Sequence, residues 1–414
     1  MNSSKKTYFL GTVLFLSIIF SYIVSEDTLG GAEEDYYLYE KFIVLFAQDF
    51  FGTFQNYGLE GFERNSPVFY IFQSLLYKSG LDLNSLRYLN IISVFIIIYL
   101  FFECLKIQFK NIKISTLKIF IFVLLLSPTI RSLVVWPYPI FYAFILFLLS
   151  IKYYLLFRSD KKKILKYPIL NIFFVAAASY ITPNFCVFSL FFIYNFFLEY
   201  KFSNKIFYLA VVNLVLALPA IVYYYNFDFY LLDVTLTKID YSIKYNIFNK
   251  IIVITSIIFF YFLPFINQKI YRKFLIDIKD FRKNYIIILI FLTCIIFYNF
   301  PNNYGGGVFY HLSYKIFSNS IFLFLVFFVS LYIFKASNLY NTNNIILFIC
   351  LILYNIQTSI YHKYFDPLLL FIFLFLCSYQ SGNVKMNIKL ISKRFYYLYL
   401  IFLGMSFYKI SFLI

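Results

Sequence analysis

The sequence has few charged residues. Asp, Glu, Lys and Arg make up only 13% of its 414 positions, whereas hydrophobic residues make up 62%. A water-soluble domain has about a quarter of its residues charged. The composition therefore excludes a soluble globular protein. It predicts an all-α, polytopic transmembrane protein whose apolar segments cross a bilayer as helices.

Cysteine pairs and internal repeats are also lacking. The five cysteines stand singly in apolar runs, without a CxxC pair, so neither a disulfide framework nor a zinc site is indicated. No haem or iron–sulfur signature occurs. The apolar segments show no fixed-period repeat, which disfavours a transporter built from symmetric halves. No stretch between them is long enough for a separate globular domain, so residues 1–414 are predicted to form one transmembrane domain.

Acidic residues are outnumbered, with 19 against 36 basic residues and a net charge of +17. In a soluble protein this excess would suggest nucleic acid as a partner. In a membrane protein, basic residues gather instead in cytoplasmic loops. About thirteen spans are predicted, at 7–24, 88–105, 115–133, 138–157, 168–181, 184–200, 206–224, 250–267, 285–300, 318–335, 344–360, 367–379 and 395–411.

A cytoplasmic N-terminus places the basic clusters near 106–118, 158–166, 269–283 and 385–394 in inner loops, and most acids in outer loops. This is the usual bias, and it predicts no nucleic-acid partner. We expect a multi-pass protein of a bacterial inner membrane. Its first span is predicted to be retained, because no small-x-small cleavage site follows it.

The first outer loop, residues 25–87, holds an unusual concentration of acids. Glu33, Glu34 and Asp35 lie beside two tyrosines, where a membrane helix meets water. Carboxylates kept so close to lipid are either solvated or needed for a reaction at the interface. Glu26 and Asp27 lie nearer the end of the span, and we expect them to be solvated.

Two interfacial helices are predicted in the same loop. The first covers Asp35–Phe51, an apolar and aromatic stretch. The second follows Ser66-Pro67, a pair that suits a helix N-terminus, and ends before Gly80. An acidic motif followed by two interfacial helices is more elaborate than a simple connector needs.

This arrangement resembles the GT-C superfamily of integral membrane glycosyltransferases, in particular the bacterial branch with protein mannosyltransferases and aminoarabinose transferases. Those proteins carry an Asp-Glu-x-x-Tyr pattern beyond the first span, then an interfacial helix, a basic-Pro-Pro turn and a second interfacial helix. A basic-Tyr-x-x-Pro element comes late in the chain. The corresponding segments here are Glu33-Glu34-Asp35-Tyr36-Tyr37, Phe42–Phe51, Arg64-Asn65-Ser66-Pro67, Val68–Tyr77 and His362-Lys363-Tyr364-Phe365-Asp366-Pro367.

The resemblance implies transfer of a sugar from a polyprenyl-phosphate donor to an acceptor at the periplasmic face. One carboxylate of Glu33, Glu34 and Asp35 would be the catalytic base, and Glu34 and Asp35 would hold Mg²⁺ or Mn²⁺ if a metal is needed. Positive charge would stabilise the leaving phosphate. The candidates for this role are Arg64, Arg131, Lys363 and His311, with Lys315 as a further one.

Each candidate also has a purely structural interpretation. The three acids could be a solvated loop, the arginines could anchor the interface, and the histidines could form ordinary loop hydrogen bonds. The run Gly305-Gly306-Gly307 indicates a flexible loop, which could cover the donor. Asp228, Asp233 and Asp240 are spaced too loosely for a metal site.

Two other classes of protein compete with the transferase. A lipid-linked saccharide polymerase or flippase also has about a dozen spans, but polymerases have their large outer loops later in the chain. A secondary transporter needs ionisable residues at mid-membrane depth, and the predicted spans are almost free of them. The elaborate first loop favours the transferase.

Overall fold

The computed structural model describes residues 3–28, 31–57, 66–227, 247–280, 284–300, 305–355, 359–378 and 387–413. The regular secondary structure in this part of the chain is helical. Its extended pairing is limited to an isolated parallel bridge between Gly305 and Ile360. The all-α fold predicted from composition is confirmed.

The chain forms two compact units. Unit 1 comprises Met1–Val234 and Ile388–Ile414, and unit 2 comprises Thr235–Asn387. A single domain over the whole chain stays a prediction. The α-helices are α1 (Ser3–Ile23), α2 (Ala32–Gln48), α3 (Phe50–Asn56), α4 (Val68–Lys78), α5 (Leu83–Gln108), α6 (Ile114–Ile121), α7 (Pro128–Val135), α8 (Pro139–Ser159), α9 (Lys166–Ile181), α10 (Phe188–Tyr200), α11 (Asn204–Phe227), α12 (Ile247–Phe262), α13 (Gln268–Asp277), α14 (Tyr285–Ile296), α15 (Gly307–Phe317), α16 (Ile321–Ala336), α17 (Thr342–Tyr354), α18 (Leu368–Phe371) and α19 (Ile388–Leu413).

Several helices have the length and composition of membrane spans. Among the described residues four qualify, namely α5, α8, Asn204–Tyr223 of α11, and Ile247–Phe265, which extends α12 by a 3₁₀ turn. A fifth results if the bent pair at 114–135 is one span. Shorter apolar helices of 10–17 residues are Phe9–Ile23, Lys166–Ile181, Tyr285–Ile296, Ile321–Ala336 and Thr342–Tyr354. These helices give the chain its membrane character.

The outer surface of unit 1 is suited to lipid. Only 6% of the apolar stretch of α11 is buried, and Phe207 and Leu214 expose 73% and 61% of their surface. An apolar helix this exposed would be unfavourable in water, because soluble proteins rarely leave such large apolar patches uncovered. Hydrocarbon is the solvent that this surface fits.

A break in the helix at Pro128 gives unit 1 its most consequential bend. After α6, a 3₁₀ turn at Phe122–Leu126 leads into α7 at an angle of 66°. Pro128 lacks an N–H group and starts α7, while the Ser127 hydroxyl accepts the N–H of Ile130 at 3.0 Å. The bend brings α7 into contact with α1, α5 and α8.

The two helices predicted in the first loop are present as α2 and α4. They pack through aromatic rings, with Phe42 and Tyr70 centroids 5.6 Å apart. The N–H of Val68 donates to the Ser66 hydroxyl at 3.4 Å at the start of α4, and Gly80 (φ +103) follows its end. The sequence therefore placed α4 correctly, although Pro67 rather than Ser66 is its N-cap residue.

The bounds of the first interfacial helix and the C-terminal end of the first loop differ from the prediction. α2 begins at Ala32 and ends at Gln48, since Asp49 leaves the helix and accepts the N–H of Gly52 at 3.0 Å to start α3. α5 begins at Leu83, so Arg87 lies in its second turn rather than at the end of a loop.

Distant parts of the sequence complete each unit. The C-terminal helix α19 returns to unit 1, where the Tyr396 hydroxyl donates to the Ile119 carbonyl at 2.6 Å. In unit 2, α12 packs against α15, α16 and α17.

Candidate functional site

The segment that follows α1 is bound to α7 through an acid. Glu26 is only 7% exposed, and its carboxylate forms a two-point ion pair with Arg131. The Nε–Oε1 distance is 2.9 Å and the Nη2–Oε2 distance is 2.6 Å. The expectation that Glu26 is solvated is wrong, because a buried guanidinium from a distant helix matches its charge.

Arg131 uses its other donors on α1. Its Nη1 donates to the Ser17 hydroxyl at 3.0 Å, and its Nη2 donates to the Ser21 hydroxyl. Ser17 and Ser21 are four residues apart and share one face of α1. Arg131 was a predicted phosphate ligand, but its guanidinium holds Glu26 and α1 against α7. This arrangement indicates a structural role.

Asp27 fixes the start of α2 and is not simply solvated either. Its Oδ2 accepts the N–H groups of Gly31 and Ala32 at 2.7 and 2.8 Å. Its Oδ1 accepts the Ser132 hydroxyl at 3.0 Å. A carboxylate on the free N–H groups of a helix start is a stabilising cap. Asp27 therefore connects α2 to α7.

The predicted catalytic acids Glu33, Glu34 and Asp35 occupy the first turn of α2. They have different surroundings. Asp35 is half-buried, and its Oδ2 accepts the Tyr138 hydroxyl at 3.1 Å. Glu33 accepts the Tyr37 hydroxyl at 3.2 Å, a bond that raises the pKa of Tyr37. Glu34 is exposed.

The three acids also have an ordinary structural explanation. A helix N-terminus carries partial positive charge, and each carboxylate in the first turn stabilises it by about 0.3–1 kcal/mol. The hydrogen bond between Asp35 and Tyr138 is not needed for this stabilisation of the helix N-terminus. It joins Asp35 to the residue just before α8, and so distinguishes Asp35 from its two neighbours.

Arg87 is a cation of this region that the sequence analysis did not single out. Asp82 caps α5 by accepting the N–H of Ser85 at 2.7 Å, which places Arg87 in the next turn. The guanidinium carbon lies 4.1 Å from the centroid of the Trp136 ring and 4.9 Å from that of Tyr22. Trp136 is the single tryptophan of the chain, and this is the sequence feature that could have pointed to the region around Arg87.

Glu40, one turn further along α2 than Tyr36, is a second residue that the sequence analysis gave no role. It is half-buried, and burial raises the pKa of its carboxyl group. The positive charge of Arg87 and a hydrogen bond from Tyr36 act in the opposite direction. Arg87 therefore acts electrostatically on Glu40, in the third turn of α2.

The other predicted phosphate ligands belong to unit 2. The Lys363 ammonium lies 5.6 Å from the Tyr361 ring centroid. His311 is on α15. His362 is half-buried, and its Nε2 lies 2.8 Å from the Tyr261 hydroxyl. Burial, with a smaller contribution from His311, lowers the pKa of His362 to about 3.

The glycine run of unit 2 is held in a defined turn rather than a free loop. All three glycines have positive φ. The N–H of Gly306 donates to the Ile360 carbonyl at 2.8 Å. A Cβ on Gly305 would lie 2.6 Å from that oxygen, and one on Gly307 would lie 2.7 Å from Ile257. Close backbone approach explains these glycines.

Two of the predictions have no counterpart in the described geometry. Arg64, like Asp228, Asp233 and Asp240, lies outside the described residues. Glu34 and Asp35 are consecutive on a helix and do not face one another. Across the described residues, no three His, Cys, Asp or Glu side chains form a group that could hold a metal ion. Dependence on Mg²⁺ or Mn²⁺ stays a prediction.

Comparisons with known proteins found no matching family model, no similar curated protein and no similar solved structure.

Proposed function

We propose that this protein is a GT-C-type membrane glycosyltransferase that moves a sugar from a polyprenyl-phosphate donor to an acceptor hydroxyl. The proposal is supported by the acidic first turn of α2, by the pair of first-loop helices and by the apolar helices around them. A donor of this class keeps its tail in lipid while its sugar and phosphate lie at the interface. A site at the ends of membrane helices suits it.

The observation that carries the proposal is the environment of Asp35. Its carboxylate is half-buried and bonded to Tyr138 where the first turn of α2 meets the start of α8. A general base has to be held in position by the fold around it. Asp35 meets this need better than the exposed Glu34, or than Glu33, which accepts the hydroxyl of Tyr37 on its own helix.

The reaction is a displacement at the anomeric carbon of the donor. Asp35 removes the proton from the acceptor hydroxyl, and the acceptor oxygen forms a bond to that carbon. The bond between the carbon and the phosphate oxygen breaks, and the electron pair leaves with polyprenyl phosphate. A cation stabilises the charge on this leaving group. Arg64 remains a predicted candidate for this cation.

The proposal includes a topology of about thirteen spans in a bacterial inner membrane, with a cytoplasmic N-terminus and a periplasmic site. It is supported by the basic clusters at 106–118, 158–166, 269–283 and 385–394, which fall on one side in this arrangement. Reporter tags at both termini test it. An odd number of spans places the C-terminus in the periplasm, and a cytoplasmic C-terminal tag would contradict it.

The activity is tested by a transfer assay in membranes with polyprenyl-phosphate-linked sugars. We expect Asp35→Asn to lower the rate by about 10²–10⁴-fold, because a general base contributes on that order. Glu34→Gln should have the smaller effect of the two. Glu103→Gln is a matched control, since this acid pairs with Lys106 near the other end of α5.

The outcome also separates the transferase from its rivals. Full activity of Asp35→Asn at wild-type expression would assign the base to another residue. Chain lengthening of a lipid-linked saccharide, in place of a single transfer, would indicate a polymerase. Movement of an intact lipid-linked sugar across the membrane without transfer would indicate a flippase.

A further inference from the structure

Arg87 has hydrogen-bond donors that find no acceptor among the described residues. Within the described ranges, the Nε of Arg87 donates to the Val135 carbonyl at 3.3 Å, its terminal nitrogens have no acceptor, and it forms no ion pair. Arg131 differs, since its Nε and both terminal nitrogens donate to Glu26 and two serines. Arg87 is half-buried, so its charge is partly removed from water, and no carboxylate of the described residues contacts it.

Trp136 provides a second, independent observation at the same place. It is 1% exposed, and its indole Nε1 is a buried donor with no acceptor among the described residues. Buried N–H groups are nearly always paired in folded proteins. The ring of this residue is the one that lies closest to the Arg87 guanidinium, at 4.1 Å.

The two side chains together suit a phosphate ester. The Trp136 and Tyr22 rings hold the planar guanidinium, which leaves its terminal N–H groups in a fixed geometry for a bidentate anion. The negative charge of Glu40 weakens the positive potential of Arg87, but the two side chains form no ion pair in the described part of the chain. An anion that accepts from both Arg87 and the indole would pair the donors that have no acceptor in the described part of the chain.

The position of the two side chains identifies the source of the anion. Arg87 lies in the second turn of α5, and Trp136 lies three residues before α8, and both helices have the length of a membrane span. The ends of membrane helices lie at headgroup depth. A phosphate presented there is carried by a lipid.

We propose that Arg87 and Trp136 form a binding site for the phosphate of a polyprenyl phosphate. This inference deepens the proposed function and rests on it for the choice of a polyprenyl lipid over other lipids. Arg87 binds the phosphate through its terminal nitrogens, and Trp136 orients the guanidinium and donates one neutral hydrogen bond.

The test is direct binding of decaprenyl phosphate to the purified full chain in a nonionic detergent, without acceptor or sugar. Arg87→Gln should weaken binding by about 10- to 100-fold, since it removes hydrogen bonds to a charged group. Trp136→Phe keeps an aromatic ring but loses the indole N–H, and should weaken binding by about 2- to 10-fold. Arg87→Lys, which keeps the charge without the fork, should fall between wild type and Arg87→Gln.

Matched controls separate this site from general effects of charge. Arg158 is exposed and lies 5.9 Å from the Tyr154 ring centroid near the other end of α8, so Arg158→Gln removes one positive charge beside an aromatic ring and should bind like wild type. Decaprenol, which lacks the phosphate, should bind all variants equally. Phosphatidylglycerol and inorganic phosphate show whether the site selects the polyprenyl lipid or accepts any phosphate.

Wild-type affinity in both Arg87→Gln and Arg87→Lys would overturn the proposal. It would also be overturned if these variants lost affinity for decaprenol as much as for decaprenyl phosphate. Preference for phosphatidylglycerol over decaprenyl phosphate would overturn the lipid assignment. Helicity and elution from size exclusion identify any variant that fails to fold. If the Arg87 variants fail to fold, the binding of Trp136→Phe compared with wild type tests the proposal. Intact Arg87-dependent binding with no sugar transfer would refute the glycosyltransferase and keep the site.

Discussion

Removal of one partner from the Glu26–Arg131 ion pair should strongly destabilise unit 1. Both side chains are almost fully buried, with 4% of the Glu26 side chain and 7% of the Arg131 side chain exposed. Glu26→Gln leaves the Arg131 charge without its partner in a place that water does not reach. The effect comes mainly from this uncompensated charge rather than from the lost attraction.

The expected size follows from the burial and from the two-point geometry. Breaking a buried pair costs about 3–5 kcal/mol of unfolding free energy. The pair Glu103–Lys106 is the matched comparison, because its side chains are 19% and 40% exposed. Glu103→Gln should cost less than about 1 kcal/mol. Replacing both buried partners, as Glu26→Gln with Arg131→Met, should recover much of the loss of either single change.

Thermal unfolding in detergent measures the difference, and Trp136 offers a local readout as the only tryptophan. We expect Glu26→Gln to lower the unfolding temperature by roughly 5–15 °C, against about 2 °C or less for Glu103→Gln. A Glu26→Gln protein that unfolds within 2 °C of wild type would refute the reasoning. So would a double variant whose loss is the sum of the two single losses.

Three further predictions concern other parts of the fold. Asp27→Ala removes the cap of α2 and should cost about 1–2 kcal/mol in chemical unfolding, whereas Asp27→Asn, which keeps a capping oxygen, should cost less. Gly305→Ala should destabilise unit 2 by about 1–3 kcal/mol, because φ is +86 and the new Cβ meets a backbone oxygen; Gly404→Ala, which meets nothing within 4 Å, should be neutral or stabilising. His362 stays neutral in the fold because burial lowers its pKa to about 3, so only the unfolded chain gains a proton as pH falls below about 6.5. Stability should therefore drop by up to about 1.4 kcal/mol for each pH unit below that value, and melting curves of His362→Gln from pH 7 to 4.5 should lack this component.

The features predicted well from the sequence depend on neighbouring residues. The start of α4 after Ser66-Pro67 and its end before Gly80 follow from caps and turns within a few positions. The helical character of the apolar segments follows from the need to pair backbone groups in lipid. Such local rules need no knowledge of the tertiary structure.

The features that the sequence did not predict are long-range pairings. Glu26 and Arg131 are 105 positions apart, and the sequence around each of them does not indicate that the other is its partner. An acid just after a span normally meets water, so burial of Glu26 could be recognised only with α7 in place. The contact of Arg87 with Trp136 was missed for the same reason.

The short helix α7 connects these observations. Its Arg131 binds Glu26, its Ser132 binds Asp27, and its Val135 carbonyl accepts from Arg87. These three contacts hold the end of α1, the start of α2 and the second turn of α5 around one helix. The break at Pro128 makes this possible, because a straight continuation of α6 would carry these residues away from the loop. The acids of α2 and the cation of α5 are thus positioned by residues that need not touch a substrate. Changes in α7 should consequently weaken both lipid binding and transfer.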